Sequence, residues 1–444
     1  MRFGSGGKQA RFVSAELAAG LVKSGDWVDY AFTFSQPDLF DKALAARVGE
    51  LRNVKFRSAM ALRPRAALEA DLTGERFFWF SWFFGPYERR MHDAGICNHI
   101  PNNLGEIPDD YRRFLDPVDV LVLKARPADA EGNFNFSLNN AYMRSVVERA
   151  RVVIVETCDT FAHAFGTQNS VHASEVDYVI AGENLPMPVL PNAAPGEVER
   201  AVARFIGNEI GEGACLQIGI GGMPNAVCAL LLESGFRDLG VHTEMLTDGL
   251  VELYKAGCVT GARKTLDPRK ITYTFALGSK ALYDTVERNA DFHSYPLDYT
   301  NAHVNMMQND NMVAINNTTV IDLQGQAASE SDGHRHISGT GGQGQFVRGA
   351  YASKGGKSFI CLASTYERKG VRKSRIVLEM VPGTVVSAPR SDMSYVVTEY
   401  GIANLRGKSV AERAQAIIGL AHPEFREGLE REAREKGLIP RYWV

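Results

Sequence analysis

Residues 216–249, LQIGIGGMPNAVCALLLESGFRDLGVHTEMLTDG, read as strand, glycine turn, helix and second strand, and this order decides the fold class. Residues 216–220 form a short apolar run. Gly219, Gly221 and Gly222 then free the backbone for a tight turn, and Pro224 is expected at the first helical position, where its preset φ and missing N–H cost nothing. The helix runs through Ala226, Val227, Ala229, Leu230 and Leu231 to Ser234-Gly235. A second apolar segment, 239–242, stops at Thr243-Glu244-Met245, followed by Thr247-Asp248-Gly249. In open α/β sheets ligands bind beyond the carboxyl ends of strands, so Glu244 and the glycine turn are expected on one rim. A helix N-terminus behind such a turn offers unpaired N–H groups to an anion or a developing oxyanion. Glu244 lies among apolar neighbours and is not patterned as a solvated charge. Spacing alone leaves it either a working carboxylate or a structural one capping the next turn.

The chain of 444 residues exceeds one typical domain, and two α/β domains are the natural division. Residues 1–190 form the expected N-terminal domain and 191–444 the C-terminal one. The proline-rich segment 183–199, with Pro186, Pro188, Pro191 and Pro195, is the expected linker. Lys and Arg number 49 against 52 Asp and Glu, a net charge of −3 with no long run of one sign. That balance argues against nucleic acid or a membrane surface as partner. No stretch reaches the roughly 20 apolar residues that span a bilayer, and residues 1–12 lack the apolar core of a signal peptide. The six cysteines, Cys97, Cys158, Cys215, Cys228, Cys258 and Cys361, are scattered, form no CxxC and lie mostly in apolar runs. Buried thiols in a reducing, cytoplasmic setting are expected, with no disulfide and no metal. His334 and His336 are two residues apart on a loop without a third ligand in spacing, which is a poor metal site.

Upstream the pattern repeats. A helix at 14–22, a strand at 27–32, a Pro37-started helix and a strand at 54–62 match the later helix, strand, helix and strand. One α/β unit is read as duplicated, and the first copy lacks the glycines. Further strands are expected at 118–123, 152–156, 271–277, 312–315, 320–323, 358–362, 375–380 and 395–398. Residues 76–100 are the most aromatic stretch and read as a core strand followed by a polar loop carrying Arg89, Arg90, His92 and His99.

GIGGMPNAV, LGVHTEMLTDG, ISGTGGQGQFVRGA at 337–350 and VVTEYGIANLRGKS at 396–409 together resemble the acetyl-CoA hydrolase/transferase family, whose members are class I CoA-transferases. The motifs stand in the family's order, and weaker matches reach back toward the first residues. Asn316-Asn317, Asp322-Leu323 and Gly325-Gln326 also resemble a family stretch. The resemblance implies two NagB/RpiA-like open-sheet α/β domains with the active site between them. It implies an enzyme that passes CoA between an acyl-CoA and a small carboxylic acid by a ping-pong mechanism through a glutamyl-CoA thioester. Coenzyme A is then a substrate and no cofactor is held permanently; a homodimer or higher oligomer is implied too.

By the same resemblance Glu244 is the nucleophile, and backbone donors at Ile220 and at Gly341-Gly342 line the oxyanion. The CoA side is assigned to Gly219, Gly221, Gly222, Pro224, Asn225, Asn316, Gly341, Gly342 and Lys408, with Arg406 beside Lys408. Two other functions stay open at this level: an acyl-CoA hydrolase, if water reaches the glutamyl thioester, and a catalytically silent CoA-binding protein. Glu399 is the rival nucleophile, because Glu399-Tyr400-Gly401 fits the Glu-x-Gly of more distant relatives. The chain departs from the family at 156–166, where Met-Pro-Arg is missing, and at Gln345, where an aspartate is usual. Acetate, butyrate, 4-hydroxybutyrate and itaconate are all admissible acids. Arg89, Arg90, His92 and His99 are expected to orient a second polar group, which favours a hydroxy acid or dicarboxylate.

Overall fold

The computed structural model describes residues 9–115, 118–190 and 194–440. They divide into two compact units: residues 1–190 with 272–300 and 337–341, and residues 191–271 with 301–336 and 342–444. The sequence reading takes 191–444 as one continuous domain, whereas two of its segments group with the first unit. Backbone pairing is the reason. Asn140 and Ala276 donate across to Thr274 and Leu138 at 3.0 and 2.8 Å, Thr167 donates to Ser294 at 2.9 Å, and Leu104 donates to Gly341 at 3.0 Å. Buried amides must find partners, and here they find them far along the chain. Of the expected linker, residues 183–190 and 194–196 carry no regular element, and 191–193 lie outside the described residues.

The first unit is built on an eight-stranded, all-parallel sheet. Its strands are β1 (Arg11–Phe12), β2 (Trp27–Phe32), β3 (Val54–Ala59), β4 (Phe77–Ser81), β5 (Cys97–His99), β6 (Val120–Ala125), β7 (Val152–Thr157) and β8 (Tyr178–Ala181). Their order is β1-β8-β7-β6-β2-β3-β4-β5. Strands buried on both faces read as apolar runs, and β6 is buried at every position. Helix α1 (Ala15–Ala19) starts at Ser14, whose hydroxyl accepts from Leu17 N at 3.2 Å. Helix α2 (Leu39–Ala45) starts two residues past Pro37. The aromatic stretch yields β4, with Phe77, Trp79 and Ser81 turned inward. Where a polar loop is expected, Pro86 opens helix α3 (Pro86–Asp93), whose first turn is closed by Glu88 accepting from Gly85 N at 2.9 Å.

The second unit carries β9 (Cys215–Ile218), β10 (Gly240–His242), β11 (Met312–Asn317), β12 (Lys357–Cys361), β13 (Tyr395–Thr398) and β14 (Gly401–Asn404). They lie in the order β14-β13-β12-β11-β9-β10, parallel except for the β13–β14 pair. Helix α4 (Glu197–Gly207) precedes β9, and α5 (Gly222–Glu233) links β9 to β10. The duplication read from the sequence is visible as topology. In each unit the chain runs from one central strand to the next on one side (β2 to β3, β9 to β10) and later returns to the other side of the first (β6, β11), continuing outward through two more. Among the described residues no helix is long and apolar enough to cross a membrane.

A buried ion pair pins the first sheet. Asp29 on β2 and Arg57 on β3 are register partners. The guanidinium grips the carboxylate with Nε at 3.0 Å and Nη2 at 2.9 Å, while the two side chains are only 1 % and 3 % exposed. Tyr111 Oη donates to the same carboxylate. Removing one partner of such a pair leaves an uncompensated buried charge, so Arg57→Met is expected to cost about 3–5 kcal/mol in denaturant unfolding. Adding Asp29→Leu should recover much of that loss.

Candidate active site

The edge that matters lies at the carboxyl ends of β9, β10 and β11. β9 is flanked by β10 and β11, which follow it on opposite sides, so this is where the strand order reverses, and ligands of open sheets settle in such crevices. Gly219 to Gly222 leave β9 here. Gly221 has φ of +120° and precedes α5, and a side chain there would also meet Asn317 Nδ2 at 3.2 Å. The helix begins at Gly222, two residues ahead of Pro224. Proline is tolerated at this third position because the N–H groups of the whole first turn lack intrahelical acceptors. Ile220 stands out into solvent, 52 % exposed. The end of β11 holds the turn in place. Gln217 and Asn316 exchange amide hydrogen bonds at 3.2 and 3.0 Å, and Asn317 Nδ2 donates to Ile220 O at 3.2 Å. The same crevice in the first unit is filled with charge. Asp38 receives Lys124 at 2.7 Å and Arg63 at 3.2 Å, and Glu156 accepts from Asp38, Leu39 and Phe40 N at the start of α2. Glu156 is therefore a helix-capping carboxylate.

Glu244 follows β10 directly. Thr243 Oγ1 donates to Met245 O at 3.0 Å and fixes the turn that carries it. The residue keeps some contact with solvent, but its carboxylate is enclosed by protein. Asn301 Nδ2 donates to Glu244 Oε2 at 2.6 Å, and Asn301 Nδ2 also reaches Gln345 Oε1 at 3.1 Å. Gly342 caps helix α7 (Gln343–Ala352). A β-carbon built on Gly342 would lie 2.1 Å from Glu244 Oε2 and 2.5 Å from Asn301 Nδ2, so only glycine fits. Helix α6 (His303–Met306) follows Asn301, and it packs on α7 at Gly349, where an added β-carbon would overlap Met306 Sδ at 2.2 Å. Desolvation pushes the Glu244 carboxyl up to about 7, opposed by the bond from Asn301.

The other assigned residues fare differently. Gly341, φ +62°, has its carbonyl taken by Leu104 N. Lys408 is exposed beside the Ser409 cap of a helix. Arg406 is spent on Ser394 Oγ and on the carbonyls of Ser391 and Asp392, which withdraws it from the phosphate role considered for it. Glu399 has both oxygens bound by Ser364, from N at 2.9 Å and Oγ at 2.5 Å, and serves as a turn-fixing carboxylate. Arg89, Arg90, His92 and His99 do not act as one cluster. Arg90 is 63 % exposed and paired with Glu69, Arg89 donates to Ile337 O, His92 Nδ1 meets Cys97 O, and His99 Nδ1 meets Ser81 O. Asn301 has no place in the sequence reading. It lies 57 residues from Glu244 in an unpatterned stretch that gives no signal of its own.

Fold and edge together define an open-sheet α/β enzyme. Residues 8–191 match the acetyl-CoA hydrolase/transferase N-terminal domain, and residues 278–433 the C-terminal domain of the same family. The chain is 42 % identical over 434 residues to the butyryl-CoA:acetate CoA-transferase of Anaerostipes caccae, covering 97 % of each. It is 35 % identical over 426 residues to the 4-hydroxybutyrate coenzyme A transferase of Clostridium kluyveri, covering 96 % of this chain and 98 % of that one. Among solved structures, RipA from Yersinia pestis superposes with a TM-score of 0.87 at 34 % identity, covering 97 % and 98 % of the two chains. The chain belongs to the acetyl-CoA hydrolase/transferase family, and within it is a CoA-transferase.

The raised pKa of Glu244 has a thermodynamic consequence. A carboxyl whose folded pKa lies above its unfolded value costs nothing below about pH 4.5, destabilises progressively as pH rises toward 7, and costs a constant amount above that. The plateau is at most about 3 kcal/mol, less whatever solvent at the half-buried residue screens. Glu244→Gln is therefore expected to melt higher than the parent at pH 8, with the gap closing toward pH 4.5 in paired thermal scans.

Proposed function

We propose that the chain passes CoA between an acyl-CoA and a free carboxylic acid with Glu244 as covalent carrier. The observation that carries this is a carboxylate at the strand-end crevice, pressed against Gly342, enclosed by protein and held by the neutral donor Asn301. Thioester and acid exchange with little net free energy, so the bond must be conserved rather than hydrolysed, and a protein carboxylate can conserve it. Glu244 Oε attacks the acyl carbonyl; a C–O bond forms, the C–S bond breaks and CoA leaves as thiolate. The thiolate then attacks the glutamyl carbon of the mixed anhydride, forming the glutamyl thioester and releasing the first acid as its carboxylate. The second acid's carboxylate attacks that thioester, and the steps reverse. Two substrates meeting one carrier in turn give ping-pong kinetics.

Each addition creates a tetrahedral oxyanion that needs preorganised donors. The N–H groups of Ile220 and of Gly341-Gly342 are assigned to it, supported by the glycine turn at the crevice and by Gly342 beside Glu244. Gly219, Gly221, Gly222, Pro224, Asn225 and Asn316 are assigned to CoA on the ground of that crevice, and Lys408 on family resemblance alone. A short monocarboxylic acid is the proposed substrate class, as the names of the 42 % and 35 % identical relatives suggest. Arg90 is committed to Glu69 at the surface and Arg89 to a carbonyl, so neither supports the second negative charge of a dicarboxylate.

The nucleophile must be ionised, so kcat/KM is expected to fall as pH drops below about 7. Glu244→Ala should lose on the order of a thousandfold or more in turnover. Borohydride should inactivate the parent enzyme in the presence of acyl-CoA alone by reducing the thioester, with peptide mapping placing the change at Glu244. Label at any other residue, or near-parental turnover of Glu244→Ala, would overturn the assignment.

A further inference from the structure

The amide of Asn301 has two ends of nearly equal size, and only one of them suits its task. An ionised Glu244 accepts hydrogen bonds and donates none, as does the carbonyl oxygen of an acylated or CoA-bearing glutamyl group. Asn301 must therefore present its NH2 end to Oε2, as it does at 2.6 Å. Its own oxygen does not fix that choice, because Asn301 Oδ1 is buried with no hydrogen-bond partner among the described residues. The other contact to the NH2 end comes from Gln345 Oε1 at 3.1 Å. With the Asn301 amide reversed, its one oxygen would face both Gln345 Oε1 and Glu244 Oε2 at those distances. Gln345 is itself 8 % exposed, third in α7, and it is carried there by the same helix whose cap Gly342 touches Glu244. The close seat of α6 on α7 at Gly349 holds the two amides in register.

We infer that Gln345 is a positioning residue for CoA transfer: it fixes the donor end of Asn301 on Glu244 and touches no substrate. This rests on the reading of Glu244 as the carrier. Gln345 acts in the covalent steps, so its loss shows in turnover more than in binding.

The test is a double-mutant cycle in the full-length enzyme, read as kcat and KM with acetyl-CoA and butyrate. Gln345→Leu, close in volume but without an acceptor, is expected to lower kcat about ten- to a hundredfold with KM for acetyl-CoA within about twofold. Gln345→Glu, which keeps the acceptor, should stay within a few-fold of parental kcat above pH 8, with its acid limb moved to higher pH by the added anion near Glu244. In the Asn301→Ala background, Gln345→Leu should have almost no further effect. An undiminished effect in that background, a rise in KM in place of the fall in kcat, or an inactive Gln345→Glu of parental melting temperature would each overturn the proposal. Should Gln345→Leu fail to fold, Gln345→Glu alone still decides, because only the proposal requires it to be active. Failure of the Glu244 reading is a separate result, seen as turnover surviving in Glu244→Ala.

Discussion

Everything at the working edge of this protein depends on keeping one carboxylate ionisable in a place where burial opposes ionisation. Glu244 is enclosed, its carboxyl is pushed up to about 7, and the force holding it down is one neutral hydrogen bond from Asn301. A strong cation beside it would lower the pKa further and blunt the nucleophile by the same interaction. A neutral amide gives direction to the oxygen without that penalty. The arrangement also explains the glycine at 342, where any side chain would occupy the position of the carboxylate oxygen.

The two units put one strand order to different ends. In the first, the crevice where the order reverses is closed by Asp38, Lys124, Arg63 and the capping carboxylate Glu156, so the charges there neutralise one another. In the second, the equivalent crevice is lined by glycine backbone and by three amides: Gln217 and Asn316 satisfy each other, and Asn317 holds the carbonyl of Ile220, whose side chain stays outward. A closed crevice adds rigidity, and an open one leaves backbone donors for a ligand. The missing glycines of the first copy were readable in the sequence. The ion cluster that replaces them was not, since its members come from four separate strand ends.

Much of the architecture was legible because it is local. Tyr395–Thr398 and Trp27–Phe32 form strands at the positions their β-branched and aromatic runs predict. Boundaries moved where capping decided them. Helix α5 began before Pro224, and α2 began after Pro37. The segment expected as one strand at 375–380 keeps only Ile376–Val377 in that role, following the separate strand Val371–Ser374, because the first pairs with Ile321 and Asp322 and the second with Thr365–Arg368. The polar loop expected after the aromatic strand became α3, a case in which Pro86 and Glu88 supplied a start signal that composition alone obscured.

The sequence by itself determined the parallel α/β class, the placing of Glu244 and the glycine turn on one strand-end rim, and the family. Each of these follows from periodicity and spacing within a βαβ stretch, or from motifs that stand in order. Only the tertiary structure decided what surrounds Glu244. Asn301 reaches it from 57 residues away and Gln345 reaches Asn301 across 44, through helices seated on each other at a glycine. It also decided how other side chains are engaged: Glu399, Arg90 and Arg406 each looked chemically apt and each is bound by a nearby backbone or side-chain partner. A side chain's chemistry is set by its residue type, but its availability is set by what folding brings against it.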